Sequence, residues 1–527
     1  MSLKAVGVVG DQSTPVEVDI KAPHPLPPGT YIYIRFKARD AAKESEVVRE
    51  AVGIVGSSMY RAVLPVTMGP EAGMFESYLS DLKKESYMRA LLIADITGGK
   101  AEAPRHPPPP ETPVYLASSE HLRVVYSYDA STSIRIGSLV GFEELEVRVN
   151  VNAMPKHILV AGTTGSGKSN LVAVIADRVA QMGGSVVVFD VHGEYRGLSP
   201  ESSDVDVKVY EASINVLKTP VNLLVNFVIP EHSATKQRRI LRNALKKLND
   251  DIVSNVRGSR IPVKEAVRRL YASRQKELTK TGKESEPVEA YRELLKSYLS
   301  GDEKAVEDVK DKIDDFFEWY RVDLETPDVG EVVGNRRVVV VDVSTFRDEE
   351  KDYMLKVVAE NLLWFLKERK IPPTLLVVEE AHLFLSANKS TWSKEALQRF
   401  IREGRKFGGM LAIVSQRPRA LDTGVVSQVQ NFAFLRLVQR ADRSVVMDIT
   451  DVLSEEYANI LPTLPPGHGV LIGEWVGWYP VYVKVDLHRG KRVGTTPDVV
   501  GVWRSALEGE ERKLRDRESL AKEWEGE

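Results

Sequence analysis

The sequence predicts an α/β fold: an open, largely parallel sheet, preceded by a small β-barrel and interrupted by a helical bundle. Three observations predict it. From residue 114 onward, near-continuous apolar runs such as "SVVVF", "VVVVDV" and "LLVV" alternate with helix-forming stretches, as strands covered on both faces require. The run His157–Ala161 leads into the glycine-rich "GTTGSGKSN" and then into the helix-like Leu171–Ala180, the strand–loop–helix context of a phosphate-binding loop. Ahead of both, residues 1–105 carry short alternating runs punctuated by Gly and Pro, the pattern of a small barrel.

Taken in chain order, "TYIYIRFKA" sets Ile32, Ile34 and Phe36 on one face against Tyr31, Tyr33 and Arg35, and "AVGIVG" and "YRAVLPV" follow. A proline-rich joint, "PRHPPPPETP" (104–113), ends the barrel domain. The α/β core is expected over 106–230 and 329–498. Its strands are His157–Gly162, Ser185–Asp190, Arg337–Val343, Thr374–Glu380, Met410–Gln416 and Asn431–Leu437, with sites at their carboxyl ends. Between the two halves, 231–328 reads as a helical insertion. Ile240, Leu241, Ala244, Leu245 and Leu248 share a face, as do Tyr291, Leu294, Leu295, Tyr298 and Leu299, and Val306, Val309, Ile313, Phe316, Phe317 and Tyr320; such stripes are bundle core. "KQRR" (236–239) and "VRRL" (267–270) are either solvated faces or partner contacts. "GVLIGEW" and "YPVYVKVDL" read as a hairpin, and 499–527 as a charged helical tail that hangs free or straps onto a neighbour.

Composition narrows the function. With 527 residues, the chain is long enough for two to four domains. It has no cysteine, which excludes disulfides, thiol nucleophiles and thiolate metal sites. None of its nine histidines are paired at zinc-ligand spacing. Missing cysteine with abundant Glu, Lys and Arg suits a thermophile. No apolar run approaches the ~18–20 residues that span a bilayer, and "MSLKAVGVVGDQ" lacks a signal-peptide core; no membrane association and a cytoplasmic location are expected. The net charge of −3 argues against a wholly basic surface, while 72 basic residues leave room for local patches.

The residues Gly162, Thr163, Thr164, Gly165, Ser166, Gly167, Lys168 and Ser169 match G-x4-G-K-[ST] in full. Glycines let backbone N–H groups wrap phosphate oxygens, and the following helix adds partial positive charge. Lys168 is expected on the β- and γ-phosphates and Ser169 on Mg²⁺, with Asn170 completing the loop; ATP and Mg²⁺ are the expected ligands. "LLVVEEAH" (375–382) ends a core strand in Glu379 and Glu380. One carboxylate can hold the Mg²⁺ shell while the other polarises water, or both can simply open the next helix. "AIVSQRP" ends another strand in Gln416, placed to sense the γ-phosphate. "VVVFDVHGEY" leaves Asp190, His192 and Glu194 beyond a buried strand, as site residues or as loop polar groups. In "LQRFIREGRKFGG", Arg402 and Arg405 share a helix face; that cluster is either solvated or enters a neighbour's site.

In this order, "GTTGSGKSN", "FDVHGEY", "VVEEAH", "REGRKFGG" and "SQRP" resemble the HerA–FtsK branch of ring-forming P-loop motor ATPases, and the HerA family within it. The resemblance spans most of the chain and is strongest over 157–199 and 375–420. It implies a RecA-like P-loop NTPase core with a barrel and a bundle, assembled as a homo-hexamer. The activity it implies is ATP-driven translocation of double-stranded DNA through a central channel, helicase activity included. In archaea it implies a NurA-type nuclease partner and DNA-end resection for recombinational repair. By the same resemblance Glu380 matches the catalytic acid, Gln416 the sensor and Arg405 the arginine acting in trans. Two positions depart from the pattern. Glu379 stands where many such motors carry aspartate. Lys156 stands where relatives often have an arginine proposed to act across the interface, and lysine lacks the bidentate fork. A ring that moves polypeptide, or a nucleotide switch that does not hydrolyse, uses the same loop; Glu380 with Arg405 argues against the switch.

Overall fold

The computed structural model describes residues 4–40, 45–63, 83–231, 233–278, 286–450, 458–477, 479–490, 500–501, 503–505 and 507. Six antiparallel strands close the N-terminal barrel in the order β1-β2-β5-β4-β3-β6. These are β1 Ala5–Ser13, β2 Glu17–Ala22, β3 Tyr31–Asp40, β4 Ser45–Val63, β5 Lys83–Asp95 and β6 Pro113–Leu116. The closing strand lies beyond residue 105, where the barrel was expected to end: the proline-rich stretch feeds β6 back between β1 and β3. Period-2 alternation on β3 sends Ile32, Ile34 and Phe36 into the barrel core. The opposite face is not solvated at its start. Tyr31 and Tyr33 are buried in the main core of the α/β unit, where Tyr126 Oη donates to Tyr31 Oη at 3.2 Å and His121 stacks on Tyr33 at 3.9 Å.

Eleven strands form the central sheet. In chain order they are β7 Ser133–Leu139, β8 Phe142–Asn150, β9 Ile158–Ala161, β10 Ser185–Asp190 and β11 Asp206–Glu211. After a short separate pair, β12 Ile214–Asn215 and β13 Val322–Asp323, come β14 Arg337–Asp342, β15 Thr374–Val378, β16 Gly409–Ser415, β17 Asn431–Phe434, β18 His468–Gly473 and β19 Val481–Val485. The sheet order is β11-β14-β10-β15-β16-β9-β17-β18-β19-β7-β8. The seven strands from β11 to β17 are parallel; the apolar runs of β9, β10, β14, β15 and β16 are buried on both faces, whereas the edge strand β11 is largely exposed. The remaining four add in antiparallel fashion, including the expected hairpin of β18 and β19. The sheet is therefore mixed, and β9, which carries the phosphate loop, is the sixth of its eleven strands.

The insertion builds a second core. Helices Thr235–Ser259, Val263–Leu278, Pro287–Ser297 and Glu303–Trp319 bury Leu241, Leu245, Leu248, Tyr291, Leu294, Val309 and Ile313 together. This core starts before residue 231, because Val221–Val228 contributes Leu224, Val225 and Phe227. "KQRR" is not merely a solvated face. Arg238 is buried and donates to the Ile229 carbonyl and to Asn226 Oδ1, tying the first long helix to the segment before it. Arg269 of "VRRL" pairs one turn back with Glu265 at 2.9 Å. Most of the expected charged tail lies outside the described residues. Among these residues, no helix is long and apolar enough to cross a membrane.

Candidate functional site

The phosphate loop leaves the carboxyl end of β9 and opens the helix Lys168–Gln181. Gly165 and Gly167 have φ of 73° and 104°, which an L side chain resists. At Gly162 a Cβ would lie 2.6 Å from Ser166 Oγ. The first helical bond runs from Leu171 N–H to the Gly167 carbonyl, so the N–H groups just ahead lack helical acceptors. Ser166 Oγ is buried without a partner. A cradle of this kind fits a polyanion. Lys168 is buried, and its Nζ donates to the Thr163 carbonyl at 3.1 Å. Burial lowers its pKa, against the opposing pull of Glu380, Glu379 and Glu194.

The neighbouring strands deliver the other groups to the same edge. The β15–β16–β9 register sets Val378 beside Ile413 and Ser415 beside Ala161, so Glu379, Glu380 and Gln416 emerge beside the loop. Gln416 Nε2 donates to Glu380 Oε1, and Thr164 Oγ1 donates to Gln416 Oε1 at 2.6 Å. One hydrogen-bonded chain thus joins Thr164, Gln416 and Glu380. Glu380 holds φ 45°, ψ 41°, a left-handed conformation costing about 1–2 kcal/mol. It precedes a short 3-10 turn without capping it through its side chain, so the helix-opening reading does not describe it.

Two partners of these carboxylates were not among the candidates read from sequence. Tyr195 Oη donates to Glu379 Oε1 at 2.7 Å. His382 Nδ1 lies 3.2 Å from Glu380 Oε2, and His192 Nε2 lies 3.8 Å from Glu380 Oε1. Both Tyr195 and His382 sit inside stretches that stood out, "FDVHGEY" and "EEAH", but nothing in residue spacing shows which carboxylate each would meet. Burial pushes the Glu379 carboxyl up to about 8; the nearby charges of Asp190, Glu194 and Glu380 act in the same direction and the Tyr195 hydroxyl opposes them. Among the described residues no group of three or more acidic or histidine side chains is set to hold a metal ion; Ser169 and Glu379 are the residues that could hold Mg²⁺ together with oxygens of the phosphates.

Asp190 has a structural task. Its Oδ1 accepts from the N–H groups of His192, Gly193 and Glu194, and its Oδ2 from that of Tyr195. The carboxylate knots the turn that aims Tyr195 and His192 at the glutamates. Asn170 faces away from the cradle: its amide donates to the Asp486 carbonyl at 2.8 Å and accepts from His488 N–H at 3.0 Å, fastening the helix to the chain beyond β19.

Arg402, Arg405 and Lys156 are not brought to this edge. The helix Trp392–Gly404 leads to Arg405 just ahead of β16, and Lys156 immediately precedes β9. All three lie at the amino-terminal side of the parallel strands. Seven residues of β16 separate Arg405 from Gln416, roughly 20 Å at ~3.3 Å per residue. Arg402 and Arg405 are exposed, whereas Lys156 pairs with Glu474.

His157 lies at the amino-terminal edge, immediately before β9. It is 2% exposed, with φ 61°. Its Nδ1 accepts from Leu411 N–H at 3.2 Å, and its Nε2 is 3.0 Å from the Ile401 carbonyl, which requires the neutral ring protonated on Nε2. Burial lowers its pKa to about 4, helped by Arg405. Between pH 6.5 and 4 the unfolded chain therefore binds a proton that the native one does not, and stability falls as pH falls across that window. The loss is expected to reach about 3 kcal/mol. Urea titrations of the wild type and His157→Gln from pH 7.5 to 4 check this; equal slopes for both would exclude His157 as the source.

The profile of the family described as "Helicase HerA, central domain" matches residues 134–362. The "DNA double-strand break repair helicase HerA" of Saccharolobus solfataricus is 32% identical, over 96% of this chain and 97% of its own length. The protein so named from Sulfurisphaera tokodaii is 33% identical, over 78% of this chain and 80% of its own. Among solved structures, VirB4 of Thermoanaerobacter pseudethanolicus matches with a TM-score of 0.42 at 17% identity, over 68% of this chain and 97% of that one. With a relative this similar along nearly its whole length, the chain belongs to the HerA helicase family.

Proposed function

We propose that this protein is an ATP-driven helicase and translocase of double-stranded DNA. In this reading it works in double-strand break repair, as a homo-hexamer with a NurA-type nuclease. The observation that carries it is the division of the site between two sheet edges. The phosphate loop, Glu380 and Gln416 stand at one edge, while the exposed arginines stand at the other. A site so divided is complete only when a second copy presents its amino-terminal edge to the first.

In this reading residues Gly162 to Ser169 bind ATP, Asn170 instead fastening the helix behind them, and Ser169 and Glu379 hold Mg²⁺, which when bound draws charge from the phosphates. Glu380, buried and hydrogen-bonded by Gln416, accepts the proton of the attacking water. Gln416 links that carboxylate to Thr164, so loss of the γ-phosphate is registered in the loop itself. Arg405 of the neighbouring copy supplies positive charge where the transition state is negative. His157 holds the helix that leads to Arg405 against β9 and β16.

Linear duplex DNA is expected to raise ATP turnover several-fold at low salt, while an unfolded polypeptide leaves it unchanged. A steady-state assay with both additions tests the reading. No response to DNA would remove it, and a response to polypeptide alone would favour a protein-moving ring.

A further inference from the structure

The chain's net charge is −3, yet one short region beside the phosphate loop is strongly basic. In the strand order β16-β9-β17, both neighbours of β9 end level with Ala161. The segments leaving them emerge on either side of the loop, each ~4.8 Å from β9. One carries Arg419, the other Arg436, Arg440 and Arg443. Arg419 joins the two: its N–H donates to Asp442 Oδ1 at 3.5 Å, and its Nε lies 3.8 Å from the same oxygen. Asp442 is buried beneath it.

Among the described residues, the carboxylates of this region are occupied or distant. Asp442 is committed to Arg419, and Asp422 to Lys394 at 2.8 Å. Asp448 lies six residues further along the helix Arg440–Ile449, about 9 Å along its axis. Among the described residues, Arg436 and Arg440 are exposed and no carboxylate pairs with them. Between them Val438 is 49% exposed, and Arg443 Nη1 donates to its carbonyl at 3.2 Å, bracing the loop. Unneutralised guanidinium groups on a braced loop present fixed charge to phosphate oxygens. Arg417 is set apart, being close enough to His382 to help lower its pKa, and belongs with the hydrolysis centre.

The loop is also leashed to the nucleotide cradle. The Arg436 carbonyl accepts both the N–H of Thr163 at 2.8 Å and its Oγ1 at 3.1 Å. Any shift of the phosphate loop is passed on to the peptide unit that carries Arg436.

We infer that Arg419, Arg436 and Arg440 form a grip for the phosphodiester backbone of DNA, held by Asp442 and moved by the phosphate loop through Thr163. The inference rests on the DNA-motor reading and names where that motor holds its track. Contacts to phosphates alone make the grip indifferent to base sequence and sensitive to salt.

The test compares the full-length wild type with Arg436→Ala/Arg440→Ala and Arg436→Lys/Arg440→Lys. Duplex DNA affinity is measured by fluorescence anisotropy from low to moderate salt, and ATP turnover is measured without DNA. The alanine pair should weaken binding about 10-fold and lower the slope of log affinity against log salt by roughly 2. The lysine pair should keep the wild-type slope, and turnover without DNA should stay near wild type in both. Affinity and slope unchanged by the alanine pair, in a protein whose wild type binds DNA, would overturn the grip and leave the motor reading standing. Loss of DNA-free turnover would assign these arginines to the nucleotide's own phosphates and equally overturn it. A wild type that binds no DNA at low salt would sink the motor reading, and the grip with it.

Discussion

Glu380→Gln is expected to stop ATP hydrolysis while leaving ATP bound, lowering turnover by roughly 10²–10⁴-fold. The amide has the shape of the carboxylate but cannot take a proton from water. Gln416 Nε2 now donates to Glu380 Oε1, and the amide oxygen of the variant can accept the same bond. The left-handed backbone at residue 380 is unaffected by a change beyond Cγ, and Lys168 keeps its place against Thr163. The expected signature is a nucleotide affinity within a few-fold of wild type with turnover near zero. Equilibrium binding of a fluorescent ATP analogue and a phosphate-release assay separate the two. Turnover within 10-fold of wild type would show that the proton goes elsewhere, His382 being the nearest alternative at 3.2 Å from Glu380 Oε2.

Arg405→Ala is expected to act as severely, but on the neighbour. Removing an arginine that stabilises transferring phosphoryl charge costs about 10³–10⁵ in turnover. The strands place Arg405 about 20 Å from the phosphate loop of its own chain, beyond the reach of a side chain. Its loss should therefore leave nucleotide binding intact and disable the site of the adjoining copy. Mixing variant and wild-type protein distinguishes this from local damage. A trans contribution makes activity fall faster than the wild-type fraction, whereas independent subunits give a straight line. Arg405→Lys should not rescue, because an ammonium lacks the planar fork. A linear mixing curve would exclude the divided site, and with it the reason for a ring.

Much of the site was legible because strand periodicity and strand ends are local properties. An apolar run that stops at Glu379 or Gln416 must deliver its next side chain to the sheet's carboxyl edge, and the glycine spacing of 162–169 admits few other uses. Where a polar group lay within a helix or loop, local pattern was silent. "KQRR" gave no sign that Arg238 is buried, since its acceptors lie on a different segment. Asp190 could not be told from a ligand, because a carboxylate that ties its own turn has the same sequence as one that faces a substrate.

What the amino-acid order alone determined is therefore the class of fold, the phosphate loop and the carboxylates and glutamine at the strand ends. All of these follow from burial patterns repeating over a few residues. Only tertiary structure decided which groups meet: Tyr195 with Glu379, 184 positions apart, Lys156 with Glu474, 318 apart, and the Arg436 carbonyl with Thr163, 273 apart. Burial periodicity tells each segment which face to hide but not which partner will hide it. That choice is made when strands distant in the chain pair in one register and bring their ends to a common edge.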